Sequence, residues 1–281
     1  MVCLVVVILH DCDPTLFCPH RDPDDSLAIG FGLRGFSDDS MLAGITTVYG
    51  NASIEKTFRT AQRIVRVSKS RIPVRRGAGS RADLGHMSDA TMLIMSMARE
   101  YGEIEILATG PLTNIATALL LYPELQDHVR RIVIMGGALF RRGNMVLFDA
   151  EFNFWMDPLA ARIVIRKIRN IIIAPLDVTL RVRWGMDISR RLIRKRDRLA
   201  RFLGYGIRPW SIVWSLVGGF NPHDTIAAIY MYEPKIYHGI WMGVEIGHMG
   251  KTIATERGKK VFVLLDLDKE RFKEIFLEAF Y

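Results

Sequence analysis

The stretch that decides the fold is Val2-Cys3-Leu4-Val5-Val6-Val7-Ile8-Leu9, followed by His10-Asp11-Cys12-Asp13-Pro14 and then Asp22-Pro23-Asp24-Asp25-Ser26. An apolar run rich in β-branched residues, with no polar alternation, reads as a strand covered on both faces. Five acids, Asp11, Asp13, Asp22, Asp24 and Asp25, follow its C-terminal end. Open α/β sheets bind their ligands at that end of a strand. Clustered carboxylates repel one another unless a cation neutralises them. Hard oxygen ligands without a thiolate or His cluster point to Ca²⁺ or Mg²⁺ rather than Zn²⁺.

Outward from this stretch, strand-like and helix-like segments alternate. Residues 41–48, 104–108, 132–135 and 171–176 read as strands. Residues 54–67, 112–121 and 158–168 read as helices, the last with Asp157 as N-cap. This rhythm predicts an α/β fold, a mostly parallel central sheet with helices on both faces. A helical insert near residues 181–219, carrying Trp184, Trp210 and Trp214, interrupts it. A helix over 224–232, strands over 243–246 and 261–267, and an amphipathic helix over 268–280 complete the chain. No low-complexity linker or internal repeat divides it, so residues 1–281 are expected to form a single domain.

At 281 residues and 49% hydrophobic, the chain can bury a sizeable core. No apolar run approaches the ~18 residues of a membrane span. The N-terminal run lacks a basic flank and ends in Asp, so it reads as a strand and not a signal peptide, and a cytoplasmic location is expected. Three cysteines, Cys3, Cys12 and Cys18, are too few for a disulfide framework. Cys12 and Cys18 are read as ordinary thiols, with a bridge between them as the alternative. The net charge of +8 is densest over 181–201. It describes a basic surface; nucleic acid is not an expected partner, because no recognised binding module accompanies the charge. Leu192, Ile193, Leu199 and Phe202 suggest one apolar stripe on a solvated helix.

Polar clusters follow several of the expected strands: Thr46-Thr47-Val48-Tyr49-Gly50-Asn51, Ala108-Thr109-Gly110-Pro111-Leu112-Thr113-Asn114, Met135-Gly136-Gly137, Glu151-Phe152-Asn153 and Asn221-Pro222-His223-Asp224. Each alone is weak, since Asn and Asp are common in turns. Together with Ala150, Asp157-Pro158 and Leu176-Asp177-Val178-Thr179, in this order over nearly the whole chain, they resemble the inosine-uridine preferring nucleoside hydrolases.

That resemblance implies Ca²⁺-dependent hydrolysis of the N-glycosidic bond of ribonucleosides to free base and ribose. By motif position it implies Asp13 as the general base that activates water, and a Ca²⁺ shell of Asp13, Asp25, Asp224 and the carbonyl of Thr109. It implies ribose contacts from Asp24, Asn51, Asn144, Glu151 and Asn153, and His223 as the acid that protonates the departing base. Base contacts from His86, Trp210 and Trp214 are candidates. A His at position 223 favours pyrimidine or mixed specificity. A homodimer or homotetramer is also implied.

The chemistry is consistent on physical grounds. Carboxylates stabilise a sugar that builds positive charge, a metal acidifies water that an Asp can deprotonate, and a departing base needs a proton. If 151–153 is extended, Glu151 and Asn153 share a face. Other groups have structural readings: Asp11 as a loop support, Asp157 as a cap, Asp177 as a packing or outer-sphere group, and His10 and His20 as surface or loop histidines.

The sequence departs from the family pattern within the acidic run. Asp13 and Asp24 are eleven positions apart, where the family has four, so roughly seven residues, 16–22, are extra. Either they loop out and both ends return to the metal, or the site is rebuilt into a weakened nucleoside- or ribose-binding protein. A basic nucleic-acid-binding protein on the same fold is the other alternative.

Overall fold

A computed structural model describes residues 5–35, 40–145 and 147–281. Nine strands form one sheet. They are β1 (Val6–Cys12), β2 (Ser40–Thr47), β3 (Val74–Arg76), β4 (Ile104–Ala108), β5 (Val129–Met135), β6 (Ile171–Ala174), β7 (Tyr237–Ile246), β8 (Thr252–Ala254) and β9 (Lys259–Leu267). Their spatial order is β3-β2-β1-β4-β5-β6-β9-β7-β8. Every pair from β3 across to β9 is parallel, and β7 runs antiparallel to both β9 and β8. The expected α/β architecture is therefore present.

The apolar run at the start of the chain enters β1 at Val6, and its residues 2–4 lie outside the described residues. Alternate β1 side chains feed two cores. Ile8 and Cys12 face one that includes Leu27, Ala61, Leu199, Ile226 and Phe272. Val7 and Leu9 face another that includes Ile94, Ile115 and Ala160. A strand sandwiched this way has no solvent face, which is why its sequence shows no alternation.

The helices Asp24–Gly32 and His223–Tyr232 sit on the first face. All nine residues of Asp24–Gly32 are buried. The insert is helical, but the apolar stripe over 192–202 is not on one solvated helix. It forms two helices, Met186–Arg194 and Arg198–Ser215, and Asp197 caps the second by accepting from the Ala200 N–H at 2.8 Å. Leu192 and Leu199 are both in the core, because the break at 195–197 lets the two helices pack on each other and the second on the helices Asp24–Gly32 and Ile54–Ser68. A second difference follows β6. The strand ends at Ala174, and Leu176–Thr179 forms a helical turn after Pro175. Proline has no N–H to continue a ladder. Short β3 and β8 and the first part of β7 had no clear sequence signal; three-residue strands carry too little periodicity to read.

Cys12 and Cys18 are free thiols, and Cys3 lies outside the described residues. Among the described residues no helix is long and apolar enough to cross a membrane.

Trp184 is the aromatic keystone of the insert. It is 2% exposed and packs on Phe272, Phe276 and Phe220, with centroid distances of 5.4, 4.7 and 6.3 Å. Trp184→Ala is expected to lower unfolding free energy by about 3–5 kcal/mol. Leu216→Ala, at an 87% exposed position, should change it by less than about 0.5 kcal/mol. Urea unfolding of both variants measures the contrast.

Candidate active site

The sheet order reverses direction at β1, which lies between β2 and β4. In an open α/β sheet such a reversal opens a crevice at the carboxyl ends of the strands. The polar clusters of the sequence converge on that edge. Asp13 leaves β1, Gly50 and Asn51 follow β2, Thr109 leaves β4 and Met135 ends β5. Thr109 is locked to β1 by its N–H, which donates to the Asp11 carbonyl at 2.8 Å.

Two helix N-termini point into the crevice. Asp24 and Asp25 open one helix, and Asp224 lies in the first turn of the other. Acids are favoured there by the helix dipole. The Asp224 N–H donates to Asp24 Oδ2 at 3.1 Å. Carboxylate oxygens of Asp24, Asp25 and Asp224, all buried, lie within 4.8 Å of one another. Burial first, and then neighbouring acids, raise the Asp224 carboxyl well above the usual range and Asp25 to about 6. An all-oxygen, anionic, desolvated cluster of this kind fits a hard divalent cation.

Asp13 stands beside this cluster. Its N–H donates to Asp25 Oδ1 at 3.3 Å, and its own carboxylate accepts from Asn51 N at 2.5 Å and Asn51 Nδ2 at 3.5 Å. It is fully buried and does not line the cavity. Burial and Asp25 push its carboxyl well above the ordinary range. Gly50 makes this approach feasible: it has φ +155°, and a Cβ there would lie 1.8 Å from Asp13 Oδ2. Only glycine accepts both constraints.

His10 differs from its expected surface role. It is 1% exposed, and Nε2 lies 2.8 Å from Thr109 Oγ1. The Thr109 hydroxyl donates to Asp25 Oδ1 at 2.7 Å, so His10 must donate from Nε2. Burial lowers its pKa to about 3 and keeps it neutral. Asp11 points the other way and ties β2 to the helix Thr113–Leu121. It accepts from Thr46 Oγ1 at 2.6 Å and Asn114 Nδ2 at 2.8 Å.

The cavity above the acids is lined by Asp22, Asp24, Asn51, Thr109, Asn144 and Met135, and across from these by Glu151, Phe152, Asn153, Leu176, His223 and Asp224. Glu151 and Asn153 share it, but not by being extended. Residues Phe152–Met156 form a helical turn, and Glu151 is its N-cap, accepting from Asn153 N at 2.9 Å and Phe154 N at 3.2 Å. A third N–H, from Gly137, reaches it at 3.1 Å, while burial raises its pKa to about 7. Asn153 Nδ2 donates to the carbonyls of Thr109 at 3.1 Å and Met135 at 3.2 Å, stitching β4 to β5. His223 Nδ1 pairs with Thr179 Oγ1 at 2.7 Å, and burial lowers the imidazole pKa.

His86, Trp210 and Trp214 do not line this cavity. His86 is exposed, and Trp210 packs on Trp214 at 5.1 Å within the helix Arg198–Ser215. Asp157 caps the helix Pro158–Lys167, accepting from Ala160 N at 3.0 Å. Asp177 holds the loop after β5 through the N–H groups of Leu139 and Phe140 at 2.9 and 2.8 Å.

The extra residues loop out and both ends return. Thr15 Oγ1 donates to the Asp22 carbonyl and Ser26 Oγ to the Thr15 carbonyl, each at 2.7 Å, closing the base of the loop. The Phe17 N–H donates to the Gly206 carbonyl at 2.9 Å. Asp22 and Phe152 were not singled out in the sequence. Asp22 belonged to the acidic run, which was its only signal, and Phe152 sat unremarked between two polar residues.

The model of the inosine-uridine preferring nucleoside hydrolase family matches residues 8–274. The non-specific ribonucleoside hydrolase RihC of Salmonella newport is 29% identical, covering 97% of each chain. Among solved structures, a purine-preferring ribonucleoside hydrolase from Gardnerella vaginalis superposes with a TM-score of 0.83 at 25% identity, covering 97% of each chain. The plant nucleoside hydrolase PpNRh1 gives 0.85 at 23% identity over 98% of each.

The buried acids set a pH dependence. Asp11 and Glu151 have folded pKa values near 7, above their unfolded values. Their stabilising contribution is full at low pH and is lost as pH rises through 7. His10, lowered to about 3, acts oppositely, but only below its unfolded value near 6.5. Between pH 8 and 6.5 the carboxyls therefore dominate. Metal-free protein should gain roughly 2 °C or more in Tm on acidification across that window. Saturating divalent cation should raise Tm most at pH 8. Calorimetry at several pH values measures both; a Tm that falls between pH 8 and 6.5 contradicts the assignment.

Proposed function

We propose, from the premise that this chain belongs to the inosine-uridine preferring nucleoside hydrolase family and hydrolyses the N-glycosidic bond of ribonucleosides, that it does so with Ca²⁺, Asp13 as base and His223 as acid. The observation that carries this reading is the adjacency of His223 and Asp224. One lines the cavity as a ring, and the next residue joins the acidic cluster below it. Asp25, Asp224, Asp13 and the Thr109 carbonyl would hold the ion, which supplies a Lewis acid that lowers the pKa of water.

The protein's own groups do the rest. Asp13, made more basic by burial and by Asp25, accepts the proton of the attacking water. Asn51 orients Asp13 through two donors. Asp24, Asn51, Asn144, Glu151 and Asn153 bind the ribose hydroxyls, and the carboxylates among them stabilise positive charge on the sugar as the C–N bond breaks. His223 keeps Nε2 for the substrate, because Thr179 occupies Nδ1. A lowered pKa makes its imidazolium a stronger acid toward the departing base. Phe152 places a phenyl ring on the cavity wall. An apolar ring face of this kind accepts pyrimidines and purines alike.

Base release should be measured from uridine, cytidine, inosine and adenosine, together with calcium content. Uridine and inosine are expected within about tenfold of each other in kcat/KM. His223→Ala should lower kcat on nucleosides by about 10²–10⁴-fold. It should leave hydrolysis of a nitrophenyl riboside, whose leaving group needs no proton, nearly intact. Asp13→Asn should abolish both. Full activity in Asp13→Asn removes it as the base, and unchanged nucleoside turnover in His223→Ala removes the acid.

A further inference from the structure

The residues that split the acidic run place an additional carboxylate on the cavity wall. Asp22 lines the same cavity as Asp24, Asn51 and Asn153. It is not one of the three acids whose oxygens converge within 4.8 Å. Its position is held on several sides. Its carbonyl accepts from Thr15 Oγ1 at 2.7 Å, and its Oδ1 accepts from the Asp24 N–H at 3.3 Å. Pro23 follows, with a ring that restricts the chain between the two acids. The neighbouring Arg21 guanidinium donates to the Asn51 carbonyl, strapping the end of the loop to the segment after β2. Asp22 is thus a positioned group, not a loose loop residue.

Asp22 and Asp24 stand side by side on this wall, with Asp22 Oδ1 against the Asp24 N–H. Among the described residues no Lys or Arg lines the cavity to pair with them. Two adjacent acceptor groups on an open wall, one of them also shared with the cation cluster, need donors from whatever fills the cavity. Two vicinal hydroxyls present two O–H donors side by side; a deoxy sugar presents one.

We infer that Asp22 is a second sugar-binding carboxylate, contacting the vicinal hydroxyl pair of the ribose together with Asp24. The inference rests on the nucleoside-hydrolase reading of the cavity. It makes the loop 16–22 a determinant of ribose over deoxyribose, and it places Asp22 on the substrate and not on the ion.

Asp22→Asn and Asp22→Ala, in Ca²⁺-loaded full-length protein with folding checked by circular dichroism, test this. KM and kcat for uridine, 2′-deoxyuridine and 3′-deoxyuridine, ribose affinity by calorimetry and Ca²⁺ affinity are measured in parallel. Asp22→Ala should raise KM for uridine and weaken ribose binding by about tenfold or more. The preference for uridine over its deoxy analogues should shrink by a similar factor, and Ca²⁺ affinity should stay within about twofold. Ribose affinity and KM equal to wild type overturn the role of Asp22 alone. A loss of Ca²⁺ affinity as large as the loss of ribose affinity also overturns it, by making Asp22 a metal ligand. Wild-type protein that neither releases base nor binds ribose overturns the reading of the cavity as well.

Discussion

Mutual repulsion among desolvated carboxylates is the constraint around which this molecule is organised. Asp24 and Asp224 come from positions two hundred residues apart, yet their carboxyls meet that of Asp25 within 4.8 Å. Two helix N-termini, the Asp224 N–H, the Thr109 hydroxyl and the Asn51 amide all direct positive dipole at the cluster. These donors lessen the repulsion without removing it, since burial still raises the Asp25 and Asp224 carboxyls. The cluster therefore fits a divalent cation, which would complete the balance.

The sheet supplies the rigidity this arrangement requires. β1 and β4 stay paired up to the reversal of strand order, and Thr109 extends that pairing with its N–H on the Asp11 carbonyl and its hydroxyl on Asp25. His10, buried and neutral, fixes that hydroxyl from behind. The chain His10–Thr109–Asp25 thus orients a carboxylate without adding charge. On the opposite wall Glu151 caps a short helix while facing the cavity, so burial raises its pKa and the three N–H groups that hold it in place only temper that rise. The helices that carry the acids are enclosed by core on all sides, which holds the cluster in place against its own repulsion.

Much of this was legible in the chain. β4 matches its expected bounds, and β2, β5, β9 and most helices differ from theirs by a few residues, because long apolar or periodic segments announce themselves. The insert is helical as expected, but its stretch 192–202 is not one solvated helix: an apolar stripe across Leu192 and Leu199 does not reveal a break, and the Asp197 cap is recognisable only once the turn exists. His10 looked like a loop histidine because a strand end and a loop start share the same residues. The candidate base contacts at His86, Trp210 and Trp214 stand away from the cavity lining: His86 is on an exposed loop, and Trp210 and Trp214 are on an amphipathic helix, where aromatic residues serve packing as readily as recognition.

By itself the sequence determined the fold class and the family, since both are written in local patterns: buried strand runs and polar turns that follow them in a particular order. It also determined that acids would crowd the end of β1. Only the tertiary structure decided how those acids divide. Asp13 is enclosed behind Asn51 and beside Gly50, Asp24 and Asp25 join Asp224, Asp11 turns to the opposite face, and Asp22 opens onto the cavity. The physical reason is that an acid's role depends on which donors and acids surround it. Those neighbours come from β2, β4 and the helix His223–Tyr232, remote in the chain and adjacent only once the sheet has formed.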